Sequence, residues 1–512
     1  MTSSGKASLA TQLVAMAQSA ERSSSAGERL SHIRYVLRQF SAVSVVEAAF
    51  ARLQASGATI EVLQRRPWLV LLLVKMALQD RREYISIGPR IPFELFDQLN
   101  DELWGMTDPS SVGEPETRIY ATLRAIWHAQ SGFQSPHSWD FLRWPALVAR
   151  LDARHIVRQQ FVDAIQIEPE VFSDLALALY SAVLGNNFPV RRGWFAPLER
   201  AYGPSVERFL SLFVRDIHQL RDELSTGASR RLRGRREIFE FPYVKRFPLL
   251  KLRDGRIACW HPLVFARGVE EAAHLRLAAL GERYTRPFSR VFEKYVLELL
   301  AEAGHTPIVE SDIKSAAGAN SPAVEAIIEA HGANVLVEAK MGLFAEEVMV
   351  EDDAERLAHK TARVREAIAQ GWNVSRLLRS GTVQLGTTSG AGEDFLLVVT
   401  SRELNIGTGS HLQMMLPEGR LAYPDDWSAQ VLPLERVFVL AIDDFERLCA
   451  ASARGEVDII RLLREAVADN RNHATAKWFF DQHLAGKASR TPGNLICAAR
   501  ANSEHRLRSS LA

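Results

Sequence analysis

The chain has 512 residues, 47% of them hydrophobic and 24% charged, the composition of a globular protein with material for two or three cores. Lys and Arg number 62 against 61 Asp and Glu, a formal net charge of +1, so no chain-wide field points to nucleic acid and any such surface is local. Three cysteines, Cys259, Cys449 and Cys497, are too few and too scattered for a disulfide framework or a zinc cage, which fits a reducing cytoplasm.

Residues 1–25 are small and polar, without the apolar core of a signal peptide, and are expected to be disordered. From 26 to about 226 the pattern is helical. Leu30, Ile33, Val36, Leu37 and Phe40 form one apolar stripe, and Val171, Leu175, Ala178 and Leu179 another, at spacings of three and four. Gly57, Pro92, Pro109, Pro136, Pro145, Gly185 and Pro189 fall where helices should end. Trp68 to Met76 is the strongest apolar run. Lys75 interrupts it, and it is too short to span a bilayer, so it predicts a buried helix and no membrane partner. This helical region is the expected seat of homo-oligomer or partner-protein contacts.

Within it, Arg150 and His155 have the Arg-x4-His spacing that resembles helical ribonucleases of the HEPN type. That spacing puts the two residues on adjacent helical turns, where Arg can stabilise phosphate and His can move a proton. Residues 227–280 change character. Arg230, Arg231, Arg233, Arg235 and Arg236, with glycines among and beside them, read as an exposed basic linker or as an arm that touches a phosphate backbone. Asp254-Gly255 then predicts a hairpin turn between Leu249–Leu252 and Arg256–Trp260, followed by a connecting helix from Val269 to Leu280.

Residues 281–470 read as an α/β unit, with a helical end and a flexible tail over 471–512. Glu293 sits at the edge of the apolar stripe Val296, Leu297 and Leu300, where a carboxylate needs a partner. Thr306–Glu310 predicts a first strand. Val324 to Lys340 then predicts a tight hairpin turning at His331-Gly332, so that Ala330 faces Ala333, Glu329 faces Asn334 and Glu325 faces Glu338. Alternation sorts Val324, Ala326, Ile328, Val335, Val337 and Ala339 onto an apolar face, and Glu325, Glu329, Glu338 and Lys340 onto the other. Two acids opposed across a strand pair repel unless a cation lies between them, and oxygen ligands suit a hard ion such as Mg²⁺. Asp352 to Gln370 predicts a long helix ending at Gly371, with Lys360, Arg363, Arg365 and Gln370 placed to touch phosphate or order the site. Phe395–Thr400 and Val437–Ile442 predict strands buried on both faces, and Asp443 with Glu446 predicts a capping box.

Glu338-Ala339-Lys340, preceded on a neighbouring strand by Glu325, resembles the core of the PD-(D/E)XK nuclease superfamily over about residues 281–450. That family usually has Asp in place of Glu325. The resemblance implies a restriction-endonuclease-like mixed sheet flanked by helices. It further implies Mg²⁺-dependent cleavage of phosphodiesters (Mn²⁺ substituting), with double-stranded DNA as partner. Glu325 and Glu338 then hold the metal, Glu293 assists, and Lys340 positions the water. Arg230, Arg231, Arg233, Arg235, Arg236 and Lys360 are the expected nucleic-acid contacts. By analogy with restriction-type enzymes, the expected setting is bacterial defence against foreign DNA. The alternatives are an inactive nuclease-fold binding module and the helical ribonuclease through Arg150 and His155.

Overall fold

A computed structural model describes residues 26–54, 59–79, 87–108, 116–134, 139–226, 234–342, 346–381, 383, 385, 392–417, 421, 431–472 and 474–511. The expectations for 1–25 and for Arg230, Arg231 and Arg233 lie outside them. Among the described residues from Ala26 to Phe213 helix follows helix. Every residue of α1 (Pro67–Leu78) is buried. Its Lys75 is tolerated there because Nζ lies 3.4 Å from Glu237 Oε1 and also contacts Glu240. α2 (Glu116–Gln134) carries the fully buried Arg124, which donates from Nε to Leu404 O at 3.2 Å and also bonds Val348 O. α3 (Pro169–Leu184) lies at the centre of the next group of helices.

A small sheet follows: β1 (Val214–Asp216) runs parallel to β2 (Leu249–Lys251), which pairs antiparallel with β3 (Ile257–Cys259). The β2–β3 register closes around Asp254-Gly255, as the sequence predicts, with Gly255 at φ 79. β1 was expected to be helical; its three residues are extended because β2 offers them a ladder. α4 (Pro262–Leu277) and α5 (Glu282–Glu302) lead into the α/β part.

There, a six-stranded mixed sheet has the order β4-β5-β6-β7-β9-β8. Its strands are β4 (Ile308–Val309), β5 (Ala326–Ala330), β6 (Ala333–Lys340), β7 (Glu393–Thr400), β8 (Gly407–Thr408) and β9 (Val437–Ala441). β6, β7 and β9 run parallel, β4, β5 and β6 antiparallel, and β8 antiparallel to β9. Helices α6 (Glu310–Ala317), α7 (Ala362–Arg379), α8 (Ile442–Ala453) and α9 (Ile459–Asn470) belong to this part, and α10 (Asn494–Leu511) packs back on the helical region.

Both faces of the sheet are covered. Ile328, Val335, Val337, Phe395 and Leu397 pack with Phe292 and Val296 of α5 and Phe445 of α8, in a core that continues without a break to Phe141, Trp144 and Phe172 in the helical region. Ile327, Leu336, Leu396 and Val398 pack under Val364, Ile368 and Trp372 of α7. A third core joins α1 to Leu250 and Trp260. Among the described residues no helix is long and apolar enough to cross a membrane.

Four local expectations are corrected. The helix over 352–370 is two helices, Ala354–Lys360 and α7, and Gly371 lies inside α7 rather than ending it. A Cβ at Gly371 would meet Leu396 Cδ2 at 2.6 Å, so this glycine serves a close approach to the sheet. Asp443 and Glu446 form no capping box, since Ala441 is the N-cap of α8 with no side-chain bond and Glu446 is drawn into the core by Arg143. Val324 belongs to the core under α7, because the ladder begins only at Ala326. The tail expected to be flexible holds α10, whose Arg506 makes two bonds, at 2.9 and 2.7 Å, to the buried Asp174 of α3.

Candidate functional site

The hairpin is the one the sequence implies. His331 (φ 49) and Gly332 (φ 74) both take left-handed backbone, the requirement of a two-residue turn whose twist matches its strands. The register follows: Ala330 faces Ala333, Glu329 faces Asn334, and the ladder runs out to Ala326 and Val337. The next pair outward is Glu325 and Glu338. Glu325 reaches across, and its Oε2 accepts from the Ala339 amide at 2.9 Å.

Glu338 is 1% exposed. Its Oε1 is bonded by Lys340 Nζ, whereas its Oε2 is buried without a hydrogen-bond partner. Burial first, and then the Glu325 carboxylate, push the Glu338 carboxyl well above the usual carboxylate range. Lys340 is also held by Gln370 of α7, whose Oε1 accepts from Nζ at 2.9 Å. From α5 comes the half-buried Glu293, also raised, by burial and then by Glu325 and by Glu310 at the start of α6. Glu325, Glu338, Lys340 and Glu293 thus lie within electrostatic reach of one another.

The opposite end of the same strands shows how a buried acid is otherwise accommodated. Asp394 on β7 is fully buried and takes both Nε (3.0 Å) and Nη2 (2.7 Å) of Arg379, with Asn334 Nδ2 at 2.8 Å. Glu338 has one lysine on one oxygen, a second acid beside it, and its other oxygen orphaned. A hard cation fits that donor set. Among the described residues no group of three or more His, Cys, Asp or Glu is close enough to hold a metal on protein ligands alone. Two carboxylates completed by water and phosphate oxygen is nonetheless a common arrangement for Mg²⁺.

The expected nucleic-acid contacts are placed differently. Arg236 Nη2 lies 2.8 Å from Glu351 Oε1, and Lys360 Nζ lies 3.1 Å from Glu351 Oε2, so both neutralise a buried carboxylate. Arg235 lies over the Phe239 ring, its Cζ 5.7 Å from the centroid. The Arg150 and His155 pair is not on adjacent turns. Arg150 ends one helix and pairs with Glu298 at 2.9 Å, whereas His155 caps the next, its Nδ1 accepting from Val157 N at 3.2 Å. Asp152 breaks the helix between them by accepting from Arg154 N at 2.8 Å. Glu310 was missed as a neighbour of the site. Read as the end of a strand, it begins α6, and Asp312 two residues later is the first-turn signal that marks the helix.

No family model, curated protein or solved structure matches the chain.

Proposed function

We propose that the chain is a metal-dependent nuclease of PD-(D/E)XK type that hydrolyses phosphodiester bonds in DNA, in a bacterial defence setting. The observation that carries this reading is the buried Glu338 carboxyl, with one oxygen orphaned, set beside Glu325 and an amine. The order α5, β4, β5, β6, α7, β7, β9 is compatible with a restriction-endonuclease-like core.

Glu325 and Glu338 would hold Mg²⁺, with Glu293, which feels the Glu325 charge, as the assisting carboxylate. When bound, the ion supplies Lewis-acid polarisation of the phosphate and an acidified water. Lys340, fixed between Glu338 and Gln370, presents a cation to the charge that grows on phosphate oxygens during displacement. The apolar back face and α7 keep bulk water from the strands behind these groups, which strengthens each electrostatic contact.

A second reading, a nuclease-shaped module that binds without cutting, is favoured by one observation: Lys340 already neutralises Glu338 within the chain. Incubating purified protein with plasmid DNA and with RNA, in Mg²⁺ or chelator, beside Lys340→Ala, decides between them. Metal-dependent nicking of plasmid that disappears in the variant is the expected outcome. DNA retention without cutting in Mg²⁺ or Mn²⁺ would establish the second reading, and cutting of RNA alone would replace the substrate.

A further inference from the structure

A cavity of about 470 Å³ lies where the helical region meets the carboxyl ends of three parallel strands. Gly342 follows β6, Glu403 follows β7 and Asp443 follows β9, and all three line it. Open α/β sheets take their ligands outside the carboxyl ends of the strands, and pockets for small molecules run from roughly 300 to 1,000 Å³.

Three of the arginines on its wall are matched to carboxylates inside the fold: Arg143 to Glu446 at 2.7 Å, Arg267 to Glu270 at 2.8 Å and Arg402 to Glu271 at 2.9 Å. Arg246 is not. Among the described residues no carboxylate pairs with it, its Nε is buried without a hydrogen-bond partner, and its guanidinium lies over the Tyr243 ring at 4.9 Å. His128 Nε2, on the same lining, is likewise buried and unpartnered. An orphaned buried donor beside a cavity of this size calls for an acceptor from outside the chain.

The strand ends present the opposite need. Glu403 and Asp443 face the same space, and burial followed by the Asp443 charge raises Glu403 to about 7. Two acids that crowd each other bind hydroxyl donors well. The rings of Phe241, Tyr243 and Trp144 also line the cavity and supply aromatic surface of the kind on which a base stacks.

We propose that this cavity binds a nucleoside phosphate, its phosphate on Arg246 and its ribose hydroxyls on Glu403 and Asp443. The site is separate from the Glu325 and Glu338 pair, none of its lining residues belongs to that pair, and it does not depend on the nuclease reading.

The test is calorimetric titration of the full chain, in chelator, with AMP, GMP, CMP and UMP, and with adenosine and inorganic phosphate as separated halves. At least one nucleotide is expected to bind saturably at one per chain, about tenfold or more tighter than either half. Arg246→Gln and Glu403→Gln should each weaken it about tenfold, and Lys340→Ala should leave it unchanged. In wild type, hydrogen exchange should slow at residues 241–246 and 401–403 when the nucleotide is added, a readout that holds even if a variant fails to fold. Absence of saturable binding by all four nucleotides, binding that survives both substitutions, binding lost in Lys340→Ala, or protection elsewhere in the chain would each overturn the assignment.

Discussion

Two buried acids on neighbouring strands are treated in opposite ways. Asp394 is clasped by Arg379, and Glu338 meets another acid and keeps one oxygen unpaired. A fold that needed only stability has no use for the second arrangement, since a like charge and an unsatisfied buried oxygen carry a cost that the one lysine offsets only in part. Gln370 belongs to the same economy of positions: it touches neither acid and fixes the amine that does. Gln370→Ala should therefore cut the cleavage rate by about tenfold, roughly 1.4 kcal/mol of barrier, while thermal stability moves by less than about 0.5 kcal/mol. A rate equal to wild type would remove Gln370 from the mechanism. Glu403 yields a prediction in pH. Its folded carboxyl titrates at about 7, above the unfolded value, because burial and Asp443 disfavour its charge. The folded state therefore keeps a proton that the unfolded chain has lost. That contribution is fully present below the ordinary carboxylate range and is lost as pH rises through about 7. Relative to Glu403→Gln, wild type should become steadily less stable between those limits, read as the difference of melting temperatures across a pH series. A difference that stays flat would mean the carboxyl is not held up.

At the scale of elements, the contact between α7 and the sheet sets the site, and Gly371 permits it. An added Cβ would lie 2.6 Å from Leu396 Cδ2 and 2.8 Å from Cδ1, and Leu396 is completely buried. Gly371→Ala should cost about 1–3 kcal/mol by overpacking, and Leu396→Val in the same chain should recover part of it. Chemical denaturation measures both, and a neutral Gly371→Ala would show that α7 has room to lift. The same helix shows where local pattern stops informing. The hairpin was legible to the residue, because His331-Gly332 fixes a turn and the turn fixes every pair beyond it. The runs at 395–400 and 437–442 were legible as central strands because nothing polar interrupts them. Gly371 read as a stop because a glycine in a helix costs stability unless a neighbour requires its bare Cα, and that neighbour is 25 positions away on β7. α10 is more extreme. It is largely polar, and the bond that anchors it joins positions 332 apart, so no window of sequence contains the reason for it. The facing pair Glu325 and Glu338 was readable; the pairing of Arg236 and Lys360 with Glu351 was not, because a basic run has the same appearance whether its partner is phosphate or a buried carboxylate.

Across the whole molecule, the helical region and the sheet share one core, and a buried side chain on the helical side ties them by charge. Arg143, 1% exposed, donates from Nε to Glu446 Oε1 at 2.7 Å and from Nη2 to Oε2 at 3.0 Å, and approaches Glu270 at 3.4 Å. Tyr295 of α5 donates to the same Glu446 oxygen at 2.6 Å. Two units that the sequence separates therefore meet at one carboxylate on α8, and Glu270, from the segment between them, meets the same arginine. Removing the arginine alone leaves the buried Glu446 carboxylate without a cation, whereas Glu270 keeps Arg267, a loss of about 3–5 kcal/mol. Replacing acid and base together leaves neutral groups and a far smaller penalty. Arg143→Met should fall in the first range, and Arg143→Met with Glu446→Gln should recover most of it. Because the core is continuous, unfolding of the single variant followed by tryptophan fluorescence and by far-ultraviolet dichroism should give coincident transitions. Separate transitions would mean that the helical region and the sheet unfold as independent bodies. The arginine would then be a surface contact between them, and its loss would cost well under the range given.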